Sequence, residues 1–566
     1  ISSQKIKWIV YITLNFIFST LILGMILYYN YTGHIATVLM LSEFGQVGTV
    51  KGSALQLFKP IHLVLFADFI VLLAIKLFKK PKATTTTHKK NRWFLYGALI
   101  LSLVMISVSV IANKDTKIAR TDLAMKTQGI FTYEFLSVFN KVFVSASMLN
   151  ENAEDIQQQI QDLKGITYLP VEDLKNHGVA YDKNLIIVQL EAFQNLLIDL
   201  EVDGQEVTPF LNSLARESLY FSNTQQQISA GTTSDAEFIS NTSVYPAPWE
   251  ATTTLFGDRE IPSLPKLLKA AGYKTMTMHT NDVSFWNRTN LYPALGFEKY
   301  YDKEFFGTED IIGFAASDEV LFTKAVSEFK SKQRWNQKFY AQLVSVSSHH
   351  PFVLPADKVG ITVPDEIKGT IVGHYLESAN YTDRMLEKFV NDLKAEGIWD
   401  DSMLVLYGDH LGLQTATFDD KEFAAAKFVL GREYSFIDQY NIPFIIHVPN
   451  SGLTEEITTL AGQLDIMPTV TNLLGVSLDD TVYFGQDILN YPENIFAMRY
   501  YLPYGTFFTE DILFVPETGF EDGTAYDFTT QKKIANITPF AEQYERMMSL
   551  VDLSDNYMLS LPKREK

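Results

Sequence analysis

Leu185-Ile186-Ile187-Val188-Gln189-Leu190-Glu191 is a continuous strand-like run that ends directly on an acid. Four further runs have the same character: Lys274 to Met278, Phe339 to Val346, Met403 to Tyr407 and Phe444 to Val448. Between them, Leu386, Phe389, Val390 and Leu393 fall at i, i+3, i+4 and i+7, which is the stripe of an amphipathic helix, and Gly397 closes it. Short strands alternating with helices predict an α/β domain with a central, mostly parallel sheet covered on both faces. The domain is expected over residues 181–566, with a small α+β part at its C-terminal end.

In such sheets ligands bind beyond the C-terminal ends of the strands. The first run delivers Glu191 there. Met403 to Tyr407 is followed by Gly408-Asp409-His410, and Phe339 to Val346 by Ser347-Ser348-His349-His350-Pro351. One acid at a strand end is commonly only a helix cap. Together, an acid, an Asp-His pair and a His pair at one edge predict a metal site with oxygen and nitrogen ligands. Such donors suit Mn²⁺ or Mg²⁺, with Zn²⁺ as the borderline choice. A hydroxyl nucleophile is expected in Ser229-Ala230-Gly231-Thr232-Thr233-Ser234-Asp235-Ala236-Glu237-Phe238. The segment reads as a turn into a helix, in which Ser234 or Asp235 could simply be the cap. The local pattern does not choose among Thr232, Thr233 and Ser234.

The chain has 566 residues, 47% of them hydrophobic, which is too many for one domain and allows membrane segments beside a large core. Cysteine is absent, so disulfides and thiolate metal sites are excluded. That suits an extracytoplasmic protein that does without disulfides. A net charge of -19 and the lack of basic runs outside one short loop exclude a nucleic-acid binder.

Within residues 1–112, three stretches read as transmembrane helices: 8–28, 61–78 and 93–112. Lys79, Lys80, Lys82, Lys89, Lys90 and Arg92 sit between the second and third, so that loop is expected inside the cell and everything after about Asn113 outside. Asp68 in the second span requires a helix or water as neighbour. Residues 113–180 read as juxtamembrane helices and linker, with a small-residue triplet, Val144-Ser145-Ala146, of the kind signal peptidases cut.

Taken in order, several motifs resemble those of the lipoteichoic acid synthase family, polyglycerolphosphate polymerases of the alkaline phosphatase/sulfatase superfamily. They are Asn184 to Asn195, Gly231 to Phe238, Met278 to Arg288, Val346 to Phe352 and Leu406 to Gly412, together with the membrane part. Thr208 to Ala215 and Gly462 to Thr469 resemble sulfatase segments more broadly. The resemblance implies Thr233 as the catalytic nucleophile and Glu191, Thr233, Asp409 and His410 as metal ligands. It implies a glycerolphosphate pocket of His279, Trp286, Arg288 and His349. A pocket position that is acidic in the family is Asn281 here, with Asp282 beside it. The family usually has five membrane spans, so two are expected upstream of Ile1.

The implied activity transfers glycerolphosphate from phosphatidylglycerol to a glycolipid or growing lipoteichoic acid chain through a covalent threonine intermediate. The implied enzyme is a multi-pass protein of the cell membrane. A primase that adds only the first glycerolphosphate, or another membrane phosphotransferase or phosphodiesterase of this kind, fits the same motifs. A sulfatase fits less well, because Gly231 to Phe238 lacks the C/S-x-P-x-R pattern from which formylglycine is made. Phosphoethanolamine transferases of this type carry disulfides. A catalytically dead lipid sensor would not need Glu191, Thr233, Asp409 and His410 intact.

Overall fold

The computed structural model describes residues 4–32, 35–37, 57–78, 96–97, 100–105, 107–108, 125–126, 129–130, 132–135 and 152–565, except 249, 335 and 336. The chain divides into two compact units, one N-terminal and one that holds everything described from 152 onward.

In the N-terminal unit, helix α1 (Gln4–Thr32) contains a 22-residue stretch, Ile9–Asn30, with mean hydropathy 2.1, long and apolar enough to cross a membrane. The second expected span is helical but divided. Pro60 opens a 3-10 turn, Pro60–Phe66, and α2 (Ala67–Phe78) continues it. Asp68 accepts a hydrogen bond from Asn15 of α1, and the Phe16 ring packs 5.9 Å from Phe66 and 6.0 Å from Phe69. The polar partner that Asp68 requires is therefore on the neighbouring helix. Of the third expected span, residues 100–105 and 107–108 are helical. Residues 96–97 are helical too; the rest of that span, the basic loop 79–92 and the Val144-Ser145-Ala146 triplet lie outside the described residues.

The second unit is built on strands β1 (Asn184–Leu190), β2 (Leu219–Phe221), β3 (Lys274–His279), β4 (Lys299–Tyr301), β5 (Phe339–Val344), β6 (Ser402–Gly408), β7 (Phe444–His447) and β8 (Glu455–Ile457). Their order across the sheet is β8-β2-β7-β6-β1-β5-β3-β4. From β6 to β4 every pairing is parallel. β7, however, runs antiparallel to both β6 and β2. β8 is again parallel to β2, so the sheet is mixed through β7 alone and mostly parallel, as expected. A strand buried on both faces reads as the same apolar run in either direction, so periodicity carries no sign for β7.

Period-2 alternation sorts each strand between two cores. Leu185, Ile187, Met403 and Val405 point to one face, where helix α4 (Thr233–Thr242) contributes Ala236, Phe238 and Ile239. Ile186, Val188, Leu404 and Leu406 point to the other. There α5 (Ile371–Ala395) lays down the expected stripe of Leu386, Phe389, Val390 and Leu393. Beyond the sheet, β9 (Ile495–Met498), β10 (Thr506–Thr509), β11 (Ile512–Val515), β12 (Thr524–Asp527) and β13 (Lys533–Ile534) form an antiparallel sheet followed by α6 (Ala541–Ser560).

The expected linker contains a built-in element. Helix α3 (Ala153–Lys164) is capped by Asn152, whose side chain accepts from Asp155 N at 2.9 Å, and ends at Gly165 in the left-handed region. Its Ile156 and Ile160 join the same core as β1, and Arg546 Nε of α6 donates to Leu163 O at 2.7 Å. Lys164 is buried and donates to Phe484 O (3.3 Å) and Asn494 Oδ1 (3.1 Å). Ile160→Ala should therefore destabilise this unit by about 2–5 kcal/mol. Denaturant unfolding measures this, and unchanged stability would mean that α3 is not part of the core.

Candidate active site

Register places the acids. β1 and β6 pair in parallel through Leu190 and Gly408, so the residues that follow emerge side by side. Asp409 N donates to Leu190 O at 3.0 Å, and Ala192 N donates to Asp409 Oδ1 at 2.7 Å. Gly408 permits this approach, because a Cβ there would lie 2.1 Å from Phe193 O. Glu191, Asp409 and His410 are all buried, with ligand atoms within 4.8 Å of one another. His410 Nε2 lies 3.4 Å from Glu191 Oε1 and 3.5 Å from Asp409 Oδ2.

The hydroxyl comes from the start of α4. Thr232 takes φ +43 just before it, a strained conformation. Asp235 holds the turn by accepting from Ser229 N (3.2 Å), Gly231 N (2.9 Å) and Thr252 N (3.0 Å). Thr233 Oγ1 donates to Glu191 Oε2 at 3.2 Å and lies 3.5 Å from His410 Nε2. Ser234 Oγ instead turns back to donate to Gly231 O at 2.8 Å. Neither Ser234 nor Asp235 is the helix cap; Thr232 occupies that position.

Electrostatics in this cluster are those of crowded anions. Burial would raise Glu191, but His349, His410 and His279 outweigh it and hold the carboxyl well below its usual range. Asp409 is pushed up, by burial first and also by the charge of Glu191, against the opposing pull of His410. Burial opposes charge on His410, yet Asp409 and Glu191 raise it to about 10. Glu191 Oε1 is buried with no hydrogen-bond partner. Two carboxylates, one orphaned oxygen and an imidazole fit a cation, which would satisfy the oxygen and relieve the repulsion.

The expected pocket residues lie on neighbouring elements. His279 ends β3, with Nδ1 3.0 Å from Val344 O, and burial and the charge of Arg288 push it down to about 3. It is neutral at physiological pH, with its proton on Nδ1. His349 follows β5; it is half-buried, its Nδ1 is 2.7 Å from His350 O, and its ring meets Phe314 edge-on at 4.8 Å. Trp286 and Asn287 both adopt positive φ, 57 and 52, and the half-buried Trp286 ring packs 5.4 Å from Phe285. Asn281 is buried with its Nδ2 unpartnered, whereas Asp282 is exposed and accepts from Ser284.

Arg288 is buried against an acid that sequence reasoning passed over. Its Nε donates to Glu237 Oε1 at 2.7 Å, its Nη2 lies 2.6 Å from the same oxygen, and both side chains are only 1% exposed. Tyr292 OH donates to the other oxygen, Glu237 Oε2, at 2.8 Å. The signal was present in the sequence: Glu237 stands four residues after Thr233, on the same helix face.

Residues 183–476 match the sulfatase family, and residues 1–147 match the lipoteichoic acid synthase N-terminal domain. The solved lipoteichoic acid synthase LtaP from Listeria monocytogenes is 41% identical, with TM-score 0.69, over 73% of this chain and 100% of that one. This chain belongs to the lipoteichoic acid synthase family. Lipoteichoic acid synthase 2 of Bacillus subtilis is 29% identical over 86% of this chain and 75% of its own length. The lipoteichoic acid synthase of Staphylococcus aureus is 28% identical over 98% of this chain and 85% of its own. The family makes this chain a phosphotransferase of the glycerolphosphate transferase kind. Its sulfatase-like fold and the Glu191, Asp409 and His410 cluster suggest a divalent metal.

Metal analysis of the purified protein should find the ion lost in Glu191→Ala and Asp409→Ala; full content in both variants would remove this cluster as the site. Glu237→Ala should leave Arg288 as an unpaired buried cation and cost about 3–5 kcal/mol of stability, measured by unfolding.

Proposed function

We propose that the enzyme takes glycerolphosphate from phosphatidylglycerol onto Thr233 and passes it to a glycolipid or a growing lipoteichoic acid chain. The observation that carries this reading is the hydroxyl of Thr233, bonded to Glu191 at 3.2 Å beside His410 at 3.5 Å. Glu191, Thr233, Asp409 and His410 would hold the divalent ion, for which we favour Mn²⁺ with Mg²⁺ as substitute. Bound there, it supplies Lewis acidity to the phosphoryl oxygens and lowers the pKa of the hydroxyl.

In the first step Thr233 Oγ1 forms a bond to phosphorus and the bond from phosphorus to the diacylglycerol oxygen breaks. The proton of Thr233 has an acceptor in Glu191, and the departing alkoxide takes a proton from His349. In the second step an acceptor hydroxyl loses its proton to His349 and attacks the same phosphorus, the Thr233 Oγ1–phosphorus bond breaks, and Oγ1 takes back the proton held by Glu191. His279, Trp286, Arg288 and His349 would bind the glycerolphosphate. Arg288 and neutral His279 bring charge and hydrogen bonding to the phosphate side.

The basic residues between Lys79 and Arg92 and the apolar α1 support an outward-facing catalytic unit in the cell membrane. Tethering keeps the site close to a lipid donor. Protease added to intact cells should cut the catalytic unit; protection until lysis would reverse this topology.

Thr233→Ala should abolish diacylglycerol release while the fold stays intact, since one hydroxyl contributes little to stability. Thr232→Ala and Ser234→Ala should be milder. Rapid quench with labelled phosphatidylglycerol should place the label on the peptide that holds Thr233, and reproducible label elsewhere would end this mechanism.

A further inference from the structure

After Asn184 at its start, β1 is apolar except for Gln189, which stands with 0% exposure. Parity puts Gln189 on the face that α4 covers, along with Leu185 and Ile187. Register puts Tyr407 of β6 directly beside it, and Gln342 of β5 opposite Ile187 on the same face. The amide of Gln189 is fully used. Its Nε2 donates to Thr233 O at 2.9 Å and lies 3.5 Å from Asp409 Oδ2. Its Oε1 accepts from Tyr407 OH at 2.6 Å and from Gln342 Nε2 at 3.2 Å.

The network continues along the helix. Gln342 Oε1 accepts from Asn241 Nδ2 at 2.6 Å, and Tyr340 OH donates to Asn241 Oδ1 at 2.6 Å. Tyr407 OH lies 2.9 Å from Ser240 Oγ. All these side chains are buried. An apolar layer between helix and sheet would hold them together equally well but would let α4 slide or turn. Directional bonds to particular backbone and side-chain atoms do not.

We propose that Gln189 is a positioning residue for the transfer reaction: its amide ties the first residue of α4 to the strand end that carries Asp409 and so sets the reach of Thr233 Oγ1 to the cluster. This rests on Thr233 being the nucleophile. Of Thr233, Gln189 touches only the backbone, and of the cluster it reaches only Asp409 Oδ2, at 3.5 Å, so its contribution is to geometry. A small misplacement of a reacting atom lowers turnover far more than binding.

The test uses the full-length protein in vesicles containing phosphatidylglycerol. It measures kcat and KM for diacylglycerol release, together with metal content and Tm. Gln189→Met keeps the volume and removes the amide. It should lower kcat by roughly 10²-fold, with KM and metal content unchanged. Tyr407→Phe removes only the hydroxyl that donates to Gln189 and should shift kcat in the same direction by less. If Gln189→Met does not fold, Tyr407→Phe decides alone. Unchanged kcat in the folded variants, or KM and metal content failing in step with kcat, would overturn the proposal. Full activity in Thr233→Ala would instead overturn the nucleophile reading beneath it.

Discussion

Glu191 and Asp409 leave adjacent parallel strands side by side, and the sheet register forces two buried carboxylates into one small volume. Their mutual repulsion is the constraint around which the site is built. Groups that could relieve it stand around the pair: His410 at the same strand end as Asp409, and His349 after β5. Neither of them neutralises the pair by direct, well-formed hydrogen bonds to every oxygen, since Glu191 Oε1 has none. A fold that only needed stability would place apolar residues at these strand ends. Retaining the acids at 2% and 0% exposure makes sense as a site prepared for positive charge.

Helix α4 is the second fixed body. Thr233, Glu237 and Asn241 recur every four residues and therefore share one face. Thr233 meets the carboxylates, Glu237 holds Arg288 and Tyr292, and Asn241 meets Gln342 and Tyr340 of the sheet. The Thr233 hydroxyl, the arginine anchor and the sheet anchor are thus spaced by helix geometry alone. A displacement of one carries the others with it, and the buried polar bonds under the helix oppose that displacement.

Much of this was legible in the sequence because strand and helix periodicities are local. The runs from Leu185, Lys274, Phe339 and Met403 become strands, and the residues immediately after two of them, Glu191 and Asp409-His410, meet at one edge, as short connections in parallel sheets require. The direction of β7 was not legible, because a doubly buried strand has no polar face to orient it. The docking of α3 was hidden for a different reason. Its polar Gln and Glu residues mask the two buried isoleucines, and its partner, α6, lies almost four hundred residues away in sequence. Which of Thr232, Thr233 and Ser234 meets Glu191 depends on the turn into α4, with its positive φ at Thr232, and no pattern of residue types reveals that turn.

That strain belongs to a pattern. Among the described residues, positive φ outside glycine, asparagine and aspartate occurs at Ser243, Tyr500 and Gln531, and at Ala192, Thr232, Trp286 and Phe352. Each of the last four lies next to or within a segment that presents a candidate site residue: Glu191, Thr233, Arg288 or His349. Such conformations cost on the order of 1–3 kcal/mol apiece and persist only where surrounding contacts over-determine them. The contacts are identifiable. Asp409 Oδ1 holds Ala192 N, Asp235 fixes the turn around Thr232, Asn287 Nδ2 donates to Thr253 O, and Phe352 packs at 4.9 Å on Tyr375 of α5. Rigid strands and helices therefore constrain the loops at one edge of the sheet. Had these turns been free to relax, Thr233 and Glu191 would not share a hydrogen bond across a sequence separation of 42 residues.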